Sequence, residues 1–244
     1  MNDMSHDVRS QTMALIHNSL PAGSNPQVPA LVQAWLGALD QDDLAGTAPA
    51  SLAPVLLAAF AQAATRPAPG CQIATVRWSD GRGENATALL VINDDMPYLV
   101  DSIVMAMRKE KVAVAAVMNA VLPVRRNADG AVEAVGESHS KLESYVLCLL
   151  GEELDATDLA ALTGRIQMVA RDAAIVRRDA VAMGDRLTAV AAEAAANGSD
   201  GQEVAAFLEW AKNEGYEPFG YAYYMVKPGQ TELERDVSSR IGVL

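Results

Sequence analysis

Residues 87–107 read Thr87-Ala88-Leu89-Leu90-Val91-Ile92-Asn93-Asp94-Asp95-Met96-Pro97-Tyr98-Leu99-Val100-Asp101-Ser102-Ile103-Val104-Met105-Ala106-Met107. The first six are a short apolar, β-branched run bounded by turn residues, which predicts a buried strand. Asn93-Asp94-Asp95 breaks that run. Asp95 is placed to cap a helix, and Pro97 falls within its first turn, where a missing N–H costs nothing. Leu99, Val100, Ile103, Val104 and Met107 then recur on one helical stripe, so the helix lies on a sheet. It closes on Arg108-Lys109-Glu110-Lys111, with cations at the negative end of the helix dipole. Strand, acidic turn and amphipathic helix together open an α+β module.

Working toward the C-terminus, residues 112–124 form a long valine-rich run closed by Pro123. Asn127-Ala128-Asp129-Gly130 is a hairpin-type turn into residues 131–135, and residues 144–150 make the next strand. Asp155-Ala156-Thr157-Asp158 resembles a capping box. Behind it Leu159, Leu162, Ile166, Val169, Ala173 and Val176 hold helical register, and the pattern continues through Met183 and Leu187 to about residue 195. A helix of that length spans about 60 Å, so it is expected to break near Gly164 or Gly184 or to project. Asn197-Gly198-Ser199-Asp200-Gly201 ends it. A last amphipathic helix carries Val204, Phe207, Leu208 and Ala211, and residues 219–226 read as an aromatic-rich strand. From residue 87 the order is thus β-α-β-β-α, with the strand at Phe219 completing the β-α-β-β-α-β order of a ferredoxin-like unit.

Toward the N-terminus, residues 73–78 predict a further strand, joined to the first by a turn over residues 79–85. Residues 1–70 read as short helices. Residues 7–19 end at Pro21-Ala22-Gly23-Ser24-Asn25-Pro26, and a second helix carries Leu31, Val32, Trp35 and Leu39. An Ala-rich third has Leu52, Val55, Leu56 and Phe60 on one side and stops at Pro67-Ala68-Pro69-Gly70. The expected organisation is a helical segment over 1–70, an α+β domain over 71–180, and a helical extension over 181–244 that begins a further module.

Charge narrows the partners. The 244 residues carry a formal net charge of −12, which repels phosphate backbones and anionic bilayers, so neither nucleic acid nor membrane is expected. Cys71 and Cys148 stand far apart without a C-x-x-C neighbour, which fits a reducing cytoplasm. The polar, acidic start has no secretory pattern, and no run approaches the length of a membrane helix. There is no G-x-G-x-x-G, P-loop, H-E-x-x-H or G-x-S-x-G, so no catalytic residue, bound cofactor or metal is expected.

The most pointed feature is the turn Asn93, Asp94, Asp95, Met96, Pro97 and Tyr98. A strand-to-helix turn offers N–H groups and carboxylates to a small ligand. Helix capping explains the same residues without one. Asp94, Asp95 and Asp101 are an ordinary acidic helix start, so no divalent cation is expected there. His139 beside Glu137, Lys141 and Glu143 is a weak acid–base signal from common loop residues. Tyr216, Phe219, Tyr221, Tyr223 and Tyr224 fit a strand packing on neighbouring domains better than a binding strip.

Val91-Ile92-Asn93-Asp94-Asp95-Met96-Pro97-Tyr98-Leu99-Val100-Asp101-Ser102 resembles the amino-terminal region of the large, bacterial-type NAD-specific glutamate dehydrogenases. Val121-Leu122-Pro123-Val124-Arg125-Arg126 with Asp129-Gly130, Glu143-Ser144-Tyr145, Glu209-Trp210 with Phe219-Gly220-Tyr221-Ala222-Tyr223-Tyr224, and Arg240-Ile241-Gly242-Val243-Leu244 resemble the same family in the same order. The resemblance covers about residues 85–244. It implies a parent enzyme that converts L-glutamate and NAD to 2-oxoglutarate, ammonia and NADH in amino-acid catabolism, with its catalytic and Rossmann domains downstream of this chain. It also implies an ACT-like module serving allosteric regulation and assembly, with the remainder of the polypeptide and further copies as partners. The ACT turn reads Asp-x-Pro-Gly, whose glycine lets a small amino acid approach. Asp95-Met96-Pro97-Tyr98 puts tyrosine in its place. Two readings follow: a non-catalytic regulatory segment, or an amino-acid sensor with an effector pocket at residues 93–98.

Overall fold

In the computed structural model, residues 2–40, 42–66, 70–79, 84–213, 216–226 and 232–243 are described. Most of the turn expected at residues 79–85, and Pro67, Ala68 and Pro69 of the expected stop, lie outside them. The chain forms two units, Met1–Arg171 and Asp172–Leu244.

In the first unit, helices α1 (Asn2–Ser19), α2 (Gln27–Ala38) and α3 (Pro49–Ala63) precede a five-stranded sheet. Its strands are β1 (Gln72–Ser79), β2 (Asn85–Asp94), β3 (Val114–Arg126), β4 (Val132–Val135) and β5 (Lys141–Leu150), with helix α4 (Leu99–Lys109) between β2 and β3. The order across the sheet is β1-β2-β5-β3-β4, antiparallel throughout. Helix α5 (Ala156–Ala195) follows β5.

Strand alternation sends Leu90, Ile92, Met118, Leu122, Tyr145 and Leu147 into one core with Trp35 of α2 and Phe60 of α3. Trp35 and Phe60 meet edge to face at 5.6 Å, and Phe60 stacks on Tyr145 at 5.7 Å. The Trp35 indole donates to the Tyr145 carbonyl at 3.0 Å, so the ring's polar edge is satisfied inside the core. Side chains on both sides of Gly70 share this core. Leu89, Val91, Val146 and Cys148 point the other way and are fully enclosed, as are Ile103 and Met107 of α4 and Leu162 and Ile166 of α5. A sheet covered on both faces explains why β2 and β5 read as unbroken apolar runs.

The strand expected over residues 73–78 and both helices of the α+β reading are present, the first of them starting later than expected, at Leu99. The strand at Phe219 does not complete this sheet. The edge beside β2 is taken by β1, in register from Gln72 opposite Ile92 to Ser79 opposite Asn85. Pairing with the nearest strand closes a loop of only a few residues, at far lower entropic cost than a partner more than a hundred residues on.

In the second unit, α5 runs unbroken through Gly184, as it does through Gly164 in the first, and is followed by α6 (Gly198–Asn213). A side chain on Gly201 would meet the Ala194 carbonyl oxygen at 2.0 Å, so the helix connection requires glycine there. Strand β6 (Gly220–Val226) pairs with β7 (Leu233–Gly242) in a two-stranded sheet of its own. Asp179 accepts the Gly242 N–H at 3.0 Å, and Arg186 donates to the Tyr221 hydroxyl at 2.7 Å. Phe207, Trp210 and Tyr216 form an exposed aromatic cluster. Among the described residues no helix is long and apolar enough to cross a membrane.

Candidate functional site

The turn after β2 departs from a simple helix cap. The Asp95 N–H donates to the Leu142 carbonyl at 3.0 Å, carrying the β2–β5 ladder three residues past the expected strand end at Ile92. Tyr98 rather than Asp95 is the N-cap residue of α4, which starts at Leu99, and Pro97 lies ahead of the helix. The residue before the helix is Tyr98, at φ 63, in the left-handed region. That backbone is the one glycine adopts freely, and an L side chain holds it at a cost of about 1–2 kcal/mol.

Because β2 extends to Asp94, alternation separates the candidate residues. Asn93 is buried on the α4 side, where its amide donates to the Asp94 carbonyl at 2.9 Å and meets the Met96 sulfur at 3.7 Å. Met96 is buried and Tyr98 half exposed. Asp94 points to the opposite face, toward α3. So Asn93 and Asp94 face opposite sides of the sheet.

Asp94 is brought instead to residues that the sequence left apart. Its register partner on β5 is Glu143, so two carboxylates sit side by side on one face. Arg66, just after α3, donates one N–H nitrogen to both, at 2.9 Å to Asp94 and 3.1 Å to Glu143. Arg126, closing β3, grips Glu143 with two nitrogens at 2.8 Å each. The Tyr145 hydroxyl donates to Glu143 at 2.8 Å, and Lys141 reaches Asp94 at 2.6 Å. Arg126 also donates to the Ala63 and Gly130 carbonyls, and Arg66 to that of Gly70. The network ties the end of α3 to three strands at the open end of the core.

Burial pushes the Glu143 carboxyl up, but the hydrogen bond and charge of Arg126 override it and hold it below its ordinary value. The same contest, with Lys141 and Arg66 prevailing over burial, holds Asp94 down. Burial first, then the Glu143 charge, pushes the Tyr145 hydroxyl up, so it stays a donor. Burial also lifts the Cys71 thiol to about 11, against a lesser pull from Arg66, and the Cys148 thiol to about 12. Neither is thiolate at neutral pH.

Beside the network an open cleft of about 380 Å³ is walled by Arg126, the Asn127–Gly130 turn and His139 to Lys141. Of the turn residues only Asp94 borders it. Among the described residues no three His, Cys, Asp or Glu stand placed to hold a metal ion. Sequence reasoning missed Arg66, Arg126 and Tyr145 as site residues and read Lys141 and Glu143 only as loop polarity. The available signal was Glu143 itself, one acid at the mouth of an otherwise apolar strand.

A five-stranded antiparallel sheet backed by helices, with an Asp-x-Pro turn whose fourth residue is left-handed, defines an ACT-like module. The chain belongs to the family described as glutamate dehydrogenase, ACT1 domain, whose profile matches residues 31–166. It is also similar to an NAD-specific glutamate dehydrogenase of Halomonas elongata, 25% identical over 170 residues, covering 64% of this chain and 10% of that protein. The matched region thus spans about a tenth of the relative's length.

Proposed function

We propose that this chain is a non-catalytic regulatory and assembly segment of a larger NAD-dependent glutamate dehydrogenase. The family match over residues 31–166, with the ACT-like sheet inside it, carries this reading. Its acidic and basic groups support it, because they are spent on one another in the Arg66–Glu143–Arg126 network rather than arranged as nucleophile and base. The parent oxidises L-glutamate to 2-oxoglutarate and ammonia with NAD bound elsewhere in the polypeptide. The partners of this segment are the remainder of that polypeptide and further copies, in the cytoplasm. The purified chain, given L-glutamate and NAD, is expected to form no NADH above the protein-free rate. Steady NADH formation by chain free of host enzyme would refute the reading.

A second reading places a small amino-acid effector at Asn93, Asp94, Asp95, Met96, Pro97 and Tyr98. It is favoured by the left-handed backbone at Tyr98, which preserves the turn geometry of an ACT site although the residue is not glycine. A thermal-shift series across the amino acids tests it, since a ligand at 100 times its dissociation constant adds about 2.7 kcal/mol. A shift that survives Asp94→Ala excludes a direct role for that carboxylate.

A further inference from the structure

We propose that the cleft between the β3–β4 turn and the start of β5 is a seat for a small oxyanion, carboxylate or phosphate, which the Asp94 side chain occupies in its absence. The observation is the way Asp94 is held. One carboxylate oxygen takes Arg66 at 2.9 Å and the other takes Lys141 at 2.6 Å, a forked grip of the kind a ligand carboxylate would receive. The two cations differ in a way that suits exchange. The Arg66 side chain is 4% exposed and is anchored independently by Glu143 and the Gly70 carbonyl, so it stays in position when Asp94 leaves. The Lys141 side chain is 64% exposed and that of Asp94 32%, and an ion pair so open to water is weak and readily replaced.

A second observation is independent of charge. Ser140 lines the same cleft, and its enclosed hydroxyl has no hydrogen-bond partner among the described residues. An enclosed hydroxyl without a partner is a cost that a ligand oxygen would remove. Charge points the same way. Arg66, Arg126 and Lys141 outnumber Asp94 and Glu143 at the cleft, while Arg125 is held by Glu133 and Glu137. With Asp94 swung away, Lys141 lacks a carboxylate, and Arg66 and Arg126 share the single one of Glu143. In a chain of net charge −12 this is a local positive spot, and 380 Å³ accommodates a molecule of several heavy atoms.

The proposal concerns binding to this chain alone, so its failure and that of the dehydrogenase reading are distinguishable. The test is calorimetric titration of the 244-residue chain with succinate and with inorganic phosphate at matched ionic strength, for the unaltered chain, Asp94→Asn, Asp94→Asn with Lys141→Gln, and Ser140→Ala. A seat filled by its own side chain binds ligand with affinity reduced by the fraction of time it is open. Asp94→Asn is therefore expected to tighten binding about tenfold, and adding Lys141→Gln to reverse the gain. Ser140→Ala is expected to weaken binding about fivefold, as loss of one hydrogen bond does. Whichever anion is preferred names the ligand class. No binding by an Asp94→Asn chain that melts cooperatively, or a gain that Lys141→Gln leaves intact, overturns the proposal. If Asp94→Asn does not fold, equal affinity of the unaltered and Ser140→Ala chains, or none in either, overturns it.

Discussion

Replacing Glu143 with glutamine keeps the shape of the side chain and removes the charge on which two arginines converge. The carboxylate is 3% exposed and accepts two bonds from Arg126, one from Arg66 and one from the Tyr145 hydroxyl. An amide can offer only one oxygen to these donors, and its NH₂ faces at least one of them. Removing one partner of a buried pair costs about 3–5 kcal/mol. Arg126 keeps the Gly130 and Ala63 carbonyls, and Arg66 keeps Asp94 and the Gly70 carbonyl, which places the loss at the lower end, about 3 kcal/mol. For a chain of this size that lowers the melting temperature by about 6–12 °C. The pH dependence sharpens the test. Glu143 titrates below its ordinary value of 4.5 when folded, because Arg126 outweighs burial. Its contribution is then full above that ordinary value and is lost as pH falls through the depressed folded one. Thermal unfolding followed by circular dichroism should show the full gap between unaltered and Glu143→Gln chains at neutral pH and a closing gap below about pH 4. A neutral-pH gap under about 1 kcal/mol, or one that widens on acidification, would refute the assigned network.

Ile103 is fully buried, so Ile103→Asp buries an unpaired charge and should cost about 3–5 kcal/mol. An unchanged melting temperature would mean that α4 presents another face to the sheet. Tyr98→Gly should leave stability unchanged or raise it by up to about 1 kcal/mol, relief of the left-handed backbone being partly offset by the freedom of glycine when unfolded. Tyr98→Val should lower it, and the opposite order in urea unfolding would contradict the backbone assigned at that turn. With both thiols raised by burial, Cys71 and Cys148 should resist alkylation at neutral pH in the folded chain and label readily in denaturant. Rapid native labelling of Cys148 would show that the sheet is not covered on that face.

Elements set by local pattern were legible before the structure: the apolar runs of β2 and β5, the stripe on α4, the Ala-rich α3. What decides the site is not local. Arg66 and Glu143 are 77 residues apart and meet only because α3 ends over the sheet, a placement that no window of sequence contains. Asp94 shows the limit most clearly. Once β2 is known to reach it, strand parity assigns it to the face opposite Asn93, but a run ending at Ile92 made both look like turn. Strand β7 carries Glu234, Arg235, Asp236, Ser238 and Ser239 with no apolar alternation, so only its pairing with β6 reveals it. Tyr98 stands where the ACT turn has glycine. Its positive φ, the feature that explains why glycine suits the position, is invisible without coordinates.

The central claim, that this segment regulates rather than catalyses, is tested most directly with Ile103→Asp in the larger dehydrogenase proposed to contain it. Subunit assembly and glutamate-dependent NADH formation per active subunit are measured together. The account predicts altered assembly or effector response with the chemical turnover of the remaining enzyme retained within about tenfold, a change in barrier of no more than about 1.4 kcal/mol. Turnover abolished in an otherwise folded, fully assembled enzyme would contradict it, because the ACT-like unit would then belong to the catalytic machinery.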